Sequence, residues 1–556
     1  MSITSQLREA VAEALSAAQA EGKLPAAGSA DIVIEQPRDL AHGDFTTSLP
    51  LRLARAMGLA PAEIANAIVE AFPEREDVER VEVAGPGFIN ITLANSWFQG
   101  QVEAIRAAGQ QFGNTESGRG VRVQVEFVSV NPTGPLHIGH ARGAVIGSGL
   151  ANLLEAIGTD VTREYYVNDA GTQTRVFIET LYARYMQAAG VDTPLPESAY
   201  QGEYVVGLAA ELLEEDGGAL ARVPREDAIA ALAETGLART LATIREDLEL
   251  LGVTYDVWFT EHSLLDNGAF KHAMSLLEER GFLVDRDGAR WFASTQLGEE
   301  KDNVVIRSAG GPTYFGTDIA YHYEKFLERK FDRVIDVWGA DHHGHVSRMK
   351  AVATALGIDA DRLTIILNQL VSFKSEGGTM RFSKRKGVIV TVRELVEDVG
   401  ADACRYMFLS RSPDSQMEFD LDLAKRQSSE NPVYYVQYAH ARLSGILRTA
   451  GERSIDYADG DVSLLTHPLE IGLIRQMAAL PDVVDRAASR LEPHHIPYHA
   501  TEVARALQKF YDSCRVVSDD PADLPVTKAR LKLVEAARIA ISRCLSLMGM
   551  SAPDPM

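Results

Sequence analysis

The chain has 556 residues, of which 46% are hydrophobic and 24% charged, enough material for three or four globular domains with ordinary cores. A net charge of −23 predicts weak non-specific binding to nucleic acid, yet the charge is uneven: Pro194 to His262 carries 14 acids and 4 bases, whereas Val526 to Gly549 carries 5 bases and 1 acid, so RNA is not excluded. No apolar run suits a membrane span, and the three scattered cysteines (Cys404, Cys514, Cys544) form no CxxC pair, which argues for the reducing cytoplasm and against cysteine-held zinc.

In chain order, Met1–Glu21 reads as an amphipathic helix with Leu7, Val11 and Leu15 on one side and no signal-peptide h-region. A helix around Leu51–Met57 and a strand-like Phe88–Leu93 follow, so residues 1–112 are expected to form an α+β domain. From residue 113 a nucleotide-binding α/β pattern begins: an apolar strand, Val121 to Val130, then Pro132-Thr133-Gly134-Pro135-Leu136-His137-Ile138-Gly139-His140, then a helix to about Ile157 and a second strand around Val161–Val167. A strand that hands over to a helix at a Gly- and His-rich corner is where open parallel sheets bind ligands. The helix start offers free N–H groups and positive dipole to phosphate. Gly139 lets a nucleotide approach the backbone, and His137 and His140 can donate to phosphate oxygens. Residues 190–262 read as an acidic, mainly helical insertion broken by Pro194, Pro196 and Pro224. The sheet resumes at Arg333–Trp338 and Leu363–Phe373. Beyond a short stretch at Val388–Thr391, residues 405–556 carry Leu and Ala at helical spacing and predict an all-α bundle.

Two motifs define a resemblance. The Pro132–His140 run resembles the HIGH motif of class I aminoacyl-tRNA synthetases. About 240 residues later, Met380-Arg381-Phe382-Ser383-Lys384-Arg385-Lys386-Gly387 resembles the KMSKS loop, with Arg381 and Phe382 in place of its first lysine and its methionine. Longer stretches resemble the arginyl-tRNA synthetase family: Ser129–His140, Arg163–Gly171, Trp338–His345 and Asn431–Arg442. The resemblance covers the whole chain. It implies an α/β Rossmann-like catalytic domain (113–404) with the HIGH and KMSKS-type motifs and the loop at 381–387, an α+β N-terminal tRNA-contacting domain (1–112), and an all-α anticodon-binding bundle (405–556).

It also implies roles. ATP, as its Mg2+ complex, would be held by Pro132, Thr133, Gly134, His137, Gly139, His140, Gly339, Asp341, His342 and Lys384. His137, His140, Ser383 and Lys384 would serve the chemistry. Glu126 and Asn131 would hold the α-amino and carboxylate groups of arginine. Tyr314, Asp318 and His322 recur at i, i+4 and i+8 and share one helix face, and the family uses the tyrosine and the aspartate for the amino acid. Glu261 would be a second carboxylate for the guanidinium, a planar, permanently charged group that is best held by carboxylates. The cluster Asp341-His342-His343-Gly344-His345 is ligand-rich, but the family sets it beside adenosine, so no metal site, structural zinc or tightly bound cofactor is expected. Partners would be tRNA(Arg), L-arginine and ATP, with no membrane, for a monomer that needs bound tRNA before it activates arginine. Tyr434, Tyr435, Tyr438 and Phe510 could stack on anticodon-loop bases or simply fill the bundle core. A synthetase for another amino acid, a nucleotidylyltransferase and a non-catalytic tRNA-binding paralogue are the competing readings.

Overall fold

The computed structural model describes residues 3–26, 31–37, 39–374 and 390–556. The N-terminal part packs the helices Ile3–Ala20, Leu49–Met57 and Pro61–Glu70 on an antiparallel sheet of Phe45–Thr47, Phe88–Leu93 and Val78–Ala84. It docks on the C-terminal helices through an Arg475–Asp44 ion pair of 2.7 Å.

The centre is a parallel sheet of five strands among the described residues: β1 (Arg122–Phe127), β2 (Asp160–Val167), β3 (Val257–Thr260), β4 (Arg333–Gly339) and β5 (Leu363–Asn368). Their spatial order is β5-β4-β1-β2-β3. The chain therefore reverses its direction of travel between β1 and β4, and the crevice at their carboxyl ends is the switch point where such sheets bind ligands.

Strand alternation divides the two faces. Val123, Val125 and Phe127 of β1 point to helix α1 (Ile138–Ala156), whose buried, alanine- and glycine-rich length lies on that face. Gly147 of α1 admits the Phe127 ring; a Cβ there would lie 2.2 Å from it. The other face is polar and still buried. Register sets Glu126 beside Asp336 of β4 and beside Glu164 of β2, and Tyr166 of β2 beside Phe259 of β3. Helix α2 (Tyr314–Tyr323) and the turn that continues it to Glu328 cover this face.

The structure corrects three expectations and adds one element. The expected strand Leu363–Phe373 is two: β5, and Val371–Lys374, which pairs in parallel with Met417–Asp420 in a separate ribbon. The chain turns between them because Gln369 leaves the sheet, its N–H bonded to the Pro413 carbonyl and its own carbonyl accepting from Arg142. The expected insertion 190–262 includes β3, an integral strand of the sheet that hydrogen-bonds to β2 along Glu164–Val167. Residues 283–306 hold a small antiparallel sheet (Leu283–Arg286, Ala289–Phe292, Asn303–Ile306) that the sequence pattern did not signal. Finally, the expected border between residues 404 and 405 falls inside one helix, α3 (Ala401–Leu409), and the strand Met417–Asp420 follows it before the long helices begin.

Arg405 explains why α3 belongs with the sheet. It is fully buried, and its guanidinium donates to the carbonyls of Met548 (2.6 Å), Leu251 (3.0 Å) and Gly252 (3.1 Å) and to the Ser148 hydroxyl of α1 (2.9 Å). One side chain thus joins the end of the insertion, the end of the last helix, α4 (Leu524–Leu547), and the helix behind the His-Ile-Gly-His corner. Burial among carbonyls rather than carboxylates lowers its pKa to about 10. No described helix is long and apolar enough to cross a membrane.

Candidate functional site

The corner after β1 is tightly built. Val128 and Ser129 adopt positive φ (70° and 44°), a conformation side chains rarely take, and turn the chain out of the sheet. His137 caps α1: its Nδ1 accepts the Gly139 N–H (3.2 Å), while His140 Nδ1 accepts the His137 N–H (3.3 Å). The two rings stack with centroids 3.5 Å apart. A Cβ on Gly139 would lie 3.1 Å from the His137 ring, so glycine leaves that ring in place. Burial lowers the pKa of both histidines, and the His137 ring adds to the effect on His140, which falls to about 3. Both rings are therefore neutral at pH 7. With Nδ1 accepting from backbone, each carries its proton on Nε2 and is a fixed neutral donor. Beside them Thr133 is buried, its carbonyl accepting from the Tyr204 hydroxyl of the insertion (2.6 Å), and Gly134 packs under the same ring.

Gly339 ends β4, and Ala340–His345 form a 3-10 turn along the carboxyl edge. Asp341 is exposed and His342 half-buried, with 3.7 Å between the His342 Nε2 and the Asp341 Oδ2. Ser383 and Lys384, with the rest of the 381–387 loop, lie outside the described residues.

The acidic pocket forms on the polar face. Glu126, Glu261 and Asp318 converge with Tyr166 and Tyr314, and each carboxylate acts electrostatically on its neighbours. Glu126 is paired with Lys325 at 2.5 Å, and Lys325 also binds Asp336 at 2.9 Å. That lysine is buried with both acids and forms its ion pairs with them. Burial raises the Asp336 carboxyl, but Lys325 and His322 outweigh it and hold it at about 2. Arg329 is committed to Glu164 and Glu324. Neither Lys325 nor Arg329 pairs with Asp318, and no described cation does. Burial, then Glu126 and Glu261, push its carboxyl well above the usual range. Glu261 is raised for the same first reason, against a hydrogen bond from Thr317. Its amide neighbour Asn168, oriented to satisfy its partners, donates to Glu261 Oε2 at 2.7 Å. Two neighbouring acids that form no ion pair among the described residues favour a positively charged ligand.

His322 departs from the expectation that it contacts that ligand. Its Nε2 lies 3.0 Å from Asp336 Oδ2 and its Nδ1 2.8 Å from the Asp318 carbonyl, so both ring nitrogens are occupied within the protein. It holds α2 against β4 and so fixes the residue that carries the free carboxylate. Tyr314, by contrast, is 51% exposed at the pocket mouth. Asn131 is bonded to Gln173 and lies beside Asn168, the amide that reaches Glu261. The sequence reading missed Asp336, gave Glu164 and Tyr166 no role although both lie in Arg163–Gly171, and offered Lys325 only as a surface partner of Asp318, whereas it pairs with Glu126 and Asp336. The alternation Arg122-Val123-Gln124-Val125-Glu126-Phe127 was the available signal for a polar inner face.

In the C-terminal helices, Phe510 is core, Tyr434 and Tyr435 are half-buried, and Tyr438 is exposed. Tyr434 and Tyr438 stack 5.7 Å apart. Arg442 lies over both Tyr438 (4.9 Å) and the exposed Tyr511 (4.7 Å), giving a surface that pairs a cation with open aromatic faces.

Comparisons with known proteins agree along the whole chain. Residues 5–93 match the family model described as the arginyl tRNA synthetase N terminal domain. Residues 101–418 match that of the catalytic domain of tRNA synthetases class I (R), and residues 436–556 that of the DALR anticodon binding domain. An arginine–tRNA ligase of Dehalococcoides mccartyi is 51% identical over 556 residues, covering 100% of this chain and 99% of that protein. One from Moorella thermoacetica is 48% identical over 99% of this chain and 98% of its own length. The solved arginyl-tRNA synthetase of Thermus thermophilus shares the fold, with a TM-score of 0.78 at 23% identity and full coverage of both chains.

Proposed function

The chain belongs to the arginyl-tRNA synthetase family and is an arginine–tRNA ligase, and from that premise we infer which residues do which part of the work. The guanidinium of L-arginine enters the acidic pocket and is held by Asp318 and Glu261, with Tyr314 closing over it from the mouth. The observation that carries this reading is the Asp318 carboxylate, half-buried beside other acids and forming no ion pair among the described residues. Glu126 and Asn131 take the α-amino end. His322 acts as a positioning residue for α2.

ATP enters as its magnesium complex and lies along Pro132–Gly134 and Gly339–His342, with Gly139 beneath it. The arginine carboxylate attacks the α-phosphorus in line, and pyrophosphate leaves. Such a reaction asks for positioning and charge stabilisation rather than covalent catalysis. His137 and His140 supply neutral Nε2–H donors to the phosphate oxygens. Lys384 supplies positive charge for the leaving pyrophosphate, and Ser383 orders the loop around it. The 2′-hydroxyl of the terminal adenosine of tRNA(Arg) then attacks the arginyl carbonyl and AMP departs.

Residues 1–112 contact the body of the tRNA, 113 to about 420 carry the chemistry, and the helices beyond read the anticodon loop, with Tyr438, Arg442 and Tyr511 as a stacking surface. Three buried, unbridged cysteines support a cytoplasmic enzyme, whose working unit is one chain. Charging of total tRNA with labelled arginine tests the pocket. Excess citrulline, which has nearly the same shape but a neutral end, will not compete, and competition equal to that of unlabelled arginine would refute the assignment of the two carboxylates.

A further inference from the structure

Tyr166 stands at the wall of the acidic pocket and is not among the residues assigned to arginine above. It lies on β2, is 6% exposed, and its hydroxyl has no hydrogen-bond partner among the described residues. The ring is fixed from two sides, by Tyr321 (centroids 4.4 Å) and by Phe259 of β3 (6.2 Å, 14° between planes). Its backbone N–H is also tied, donating to the Ser129 hydroxyl at 3.1 Å. The phenol is therefore held in place rather than free to swing towards a partner. The groups that act on it electrostatically are Glu261, Asp318, Glu126 and Tyr314, the same groups that line the pocket.

A buried hydroxyl without a partner is costly, and native structures reserve such atoms for ligands or function. A phenol offers two functions at once, since its oxygen accepts while its proton donates. A guanidinium offers five N–H donors in a plane and no acceptor. Two carboxylates do not reach every edge of that plane. We propose that the Tyr166 hydroxyl accepts a hydrogen bond from the guanidinium end of bound arginine, which makes it a specificity-determining residue for the amino acid. The proposal rests on the pocket reading given above. It distinguishes arginine from lysine, whose three-donor ammonium is compact and does not fill a planar site.

Tyr166→Phe removes one oxygen and keeps the ring stack. In ATP–pyrophosphate exchange with tRNA present, the arginine KM rises about ten- to hundredfold, with the effect on KM rather than kcat and with the ATP KM unchanged. The free variant unfolds at the same temperature as the parent or higher, because an unpartnered buried hydroxyl has gone, while the stabilisation conferred by added arginine shrinks. A lowered unfolding temperature without arginine would show that the hydroxyl is structural and overturn the proposal. An arginine KM within twofold of the parent would also overturn it. Asp318→Asn is measured alongside. If it raises the arginine KM and Tyr166→Phe does not, only the Tyr166 proposal fails; if neither does, the pocket reading itself has failed.

Discussion

Replacing Asp318 by asparagine keeps the volume and hydrogen-bonding shape of the pocket floor and removes one charge. A guanidinium about 4 Å from a carboxylate gains about 4 kcal/mol at an effective dielectric of about 20. Part of this offsets the cost of ionising Asp318, whose carboxyl is pushed upward by burial and by the nearby Glu126 and Glu261. The net loss is about 2–4 kcal/mol, or roughly thirty- to a thousandfold in arginine KM. Because the same contact is made before and during adenylate formation, kcat changes little. The assay is ATP–pyrophosphate exchange at saturating ATP with tRNA present, over a wide range of arginine. An arginine KM within threefold of the parent would refute the reasoning, since it would mean that the unpaired carboxylate is not where the cation sits.

The same raised carboxyl gives a pH dependence whose sign follows from linkage. Arginine binds the ionised form, so binding releases a proton, and the arginine KM falls as pH rises from the ordinary carboxylate range towards the raised pKa, by up to about tenfold per pH unit. In the arginine-free chain that group favours the fold while protonated and loses this contribution as pH rises through its raised pKa, so the stabilisation by arginine grows with pH in thermal unfolding; a flat or opposite trend contradicts the assignment. Lys384→Ala lowers kcat with little change in arginine KM, because its charge is needed most as pyrophosphate leaves; a large rise in arginine KM with normal kcat would move it out of that role. Arg405→Ala strands three carbonyls and a hydroxyl and costs about 2–5 kcal/mol in denaturant unfolding, and an unchanged midpoint would show that the junction is held by other contacts. Arg442→Glu raises the tRNA KM without moving that of arginine or ATP, and charging at parental tRNA concentrations would take the Tyr438–Tyr511 surface out of the interface.

What the sequence discloses and what it hides follow from distance along the chain. The His137–His140 corner is legible because strand, turn and helix are consecutive, and the helical spacing of Tyr314, Asp318 and His322 puts them on one face as expected. Spacing says nothing of what that face meets. His322 reads from spacing as a ligand contact, but Asp336, on a strand that begins after the helix ends, occupies its Nε2. The Glu126–Lys325–Asp336 group likewise joins residues from two strands and a turn, and only the register of β1 with β4 brings it together. β3 was hidden because it is four residues long and follows a long acidic helical stretch. The single long strand expected at Leu363–Phe373 fails at Gln369, where a carbonyl needed by Arg142, more than two hundred residues away, outweighs local β propensity. Tyr166 lies inside the stretch Arg163–Gly171, but nothing in that stretch gives it a role; its burial without a partner does.

The measurement that bears most directly on the whole account is ATP–pyrophosphate exchange with each standard amino acid, with and without total tRNA. The account predicts exchange with arginine alone, and only when tRNA is present. Exchange with arginine in the absence of tRNA would keep the pocket and remove the coupling; exchange with lysine or any other amino acid at a comparable rate would contradict the assignment of Asp318 and Glu261 to a guanidinium.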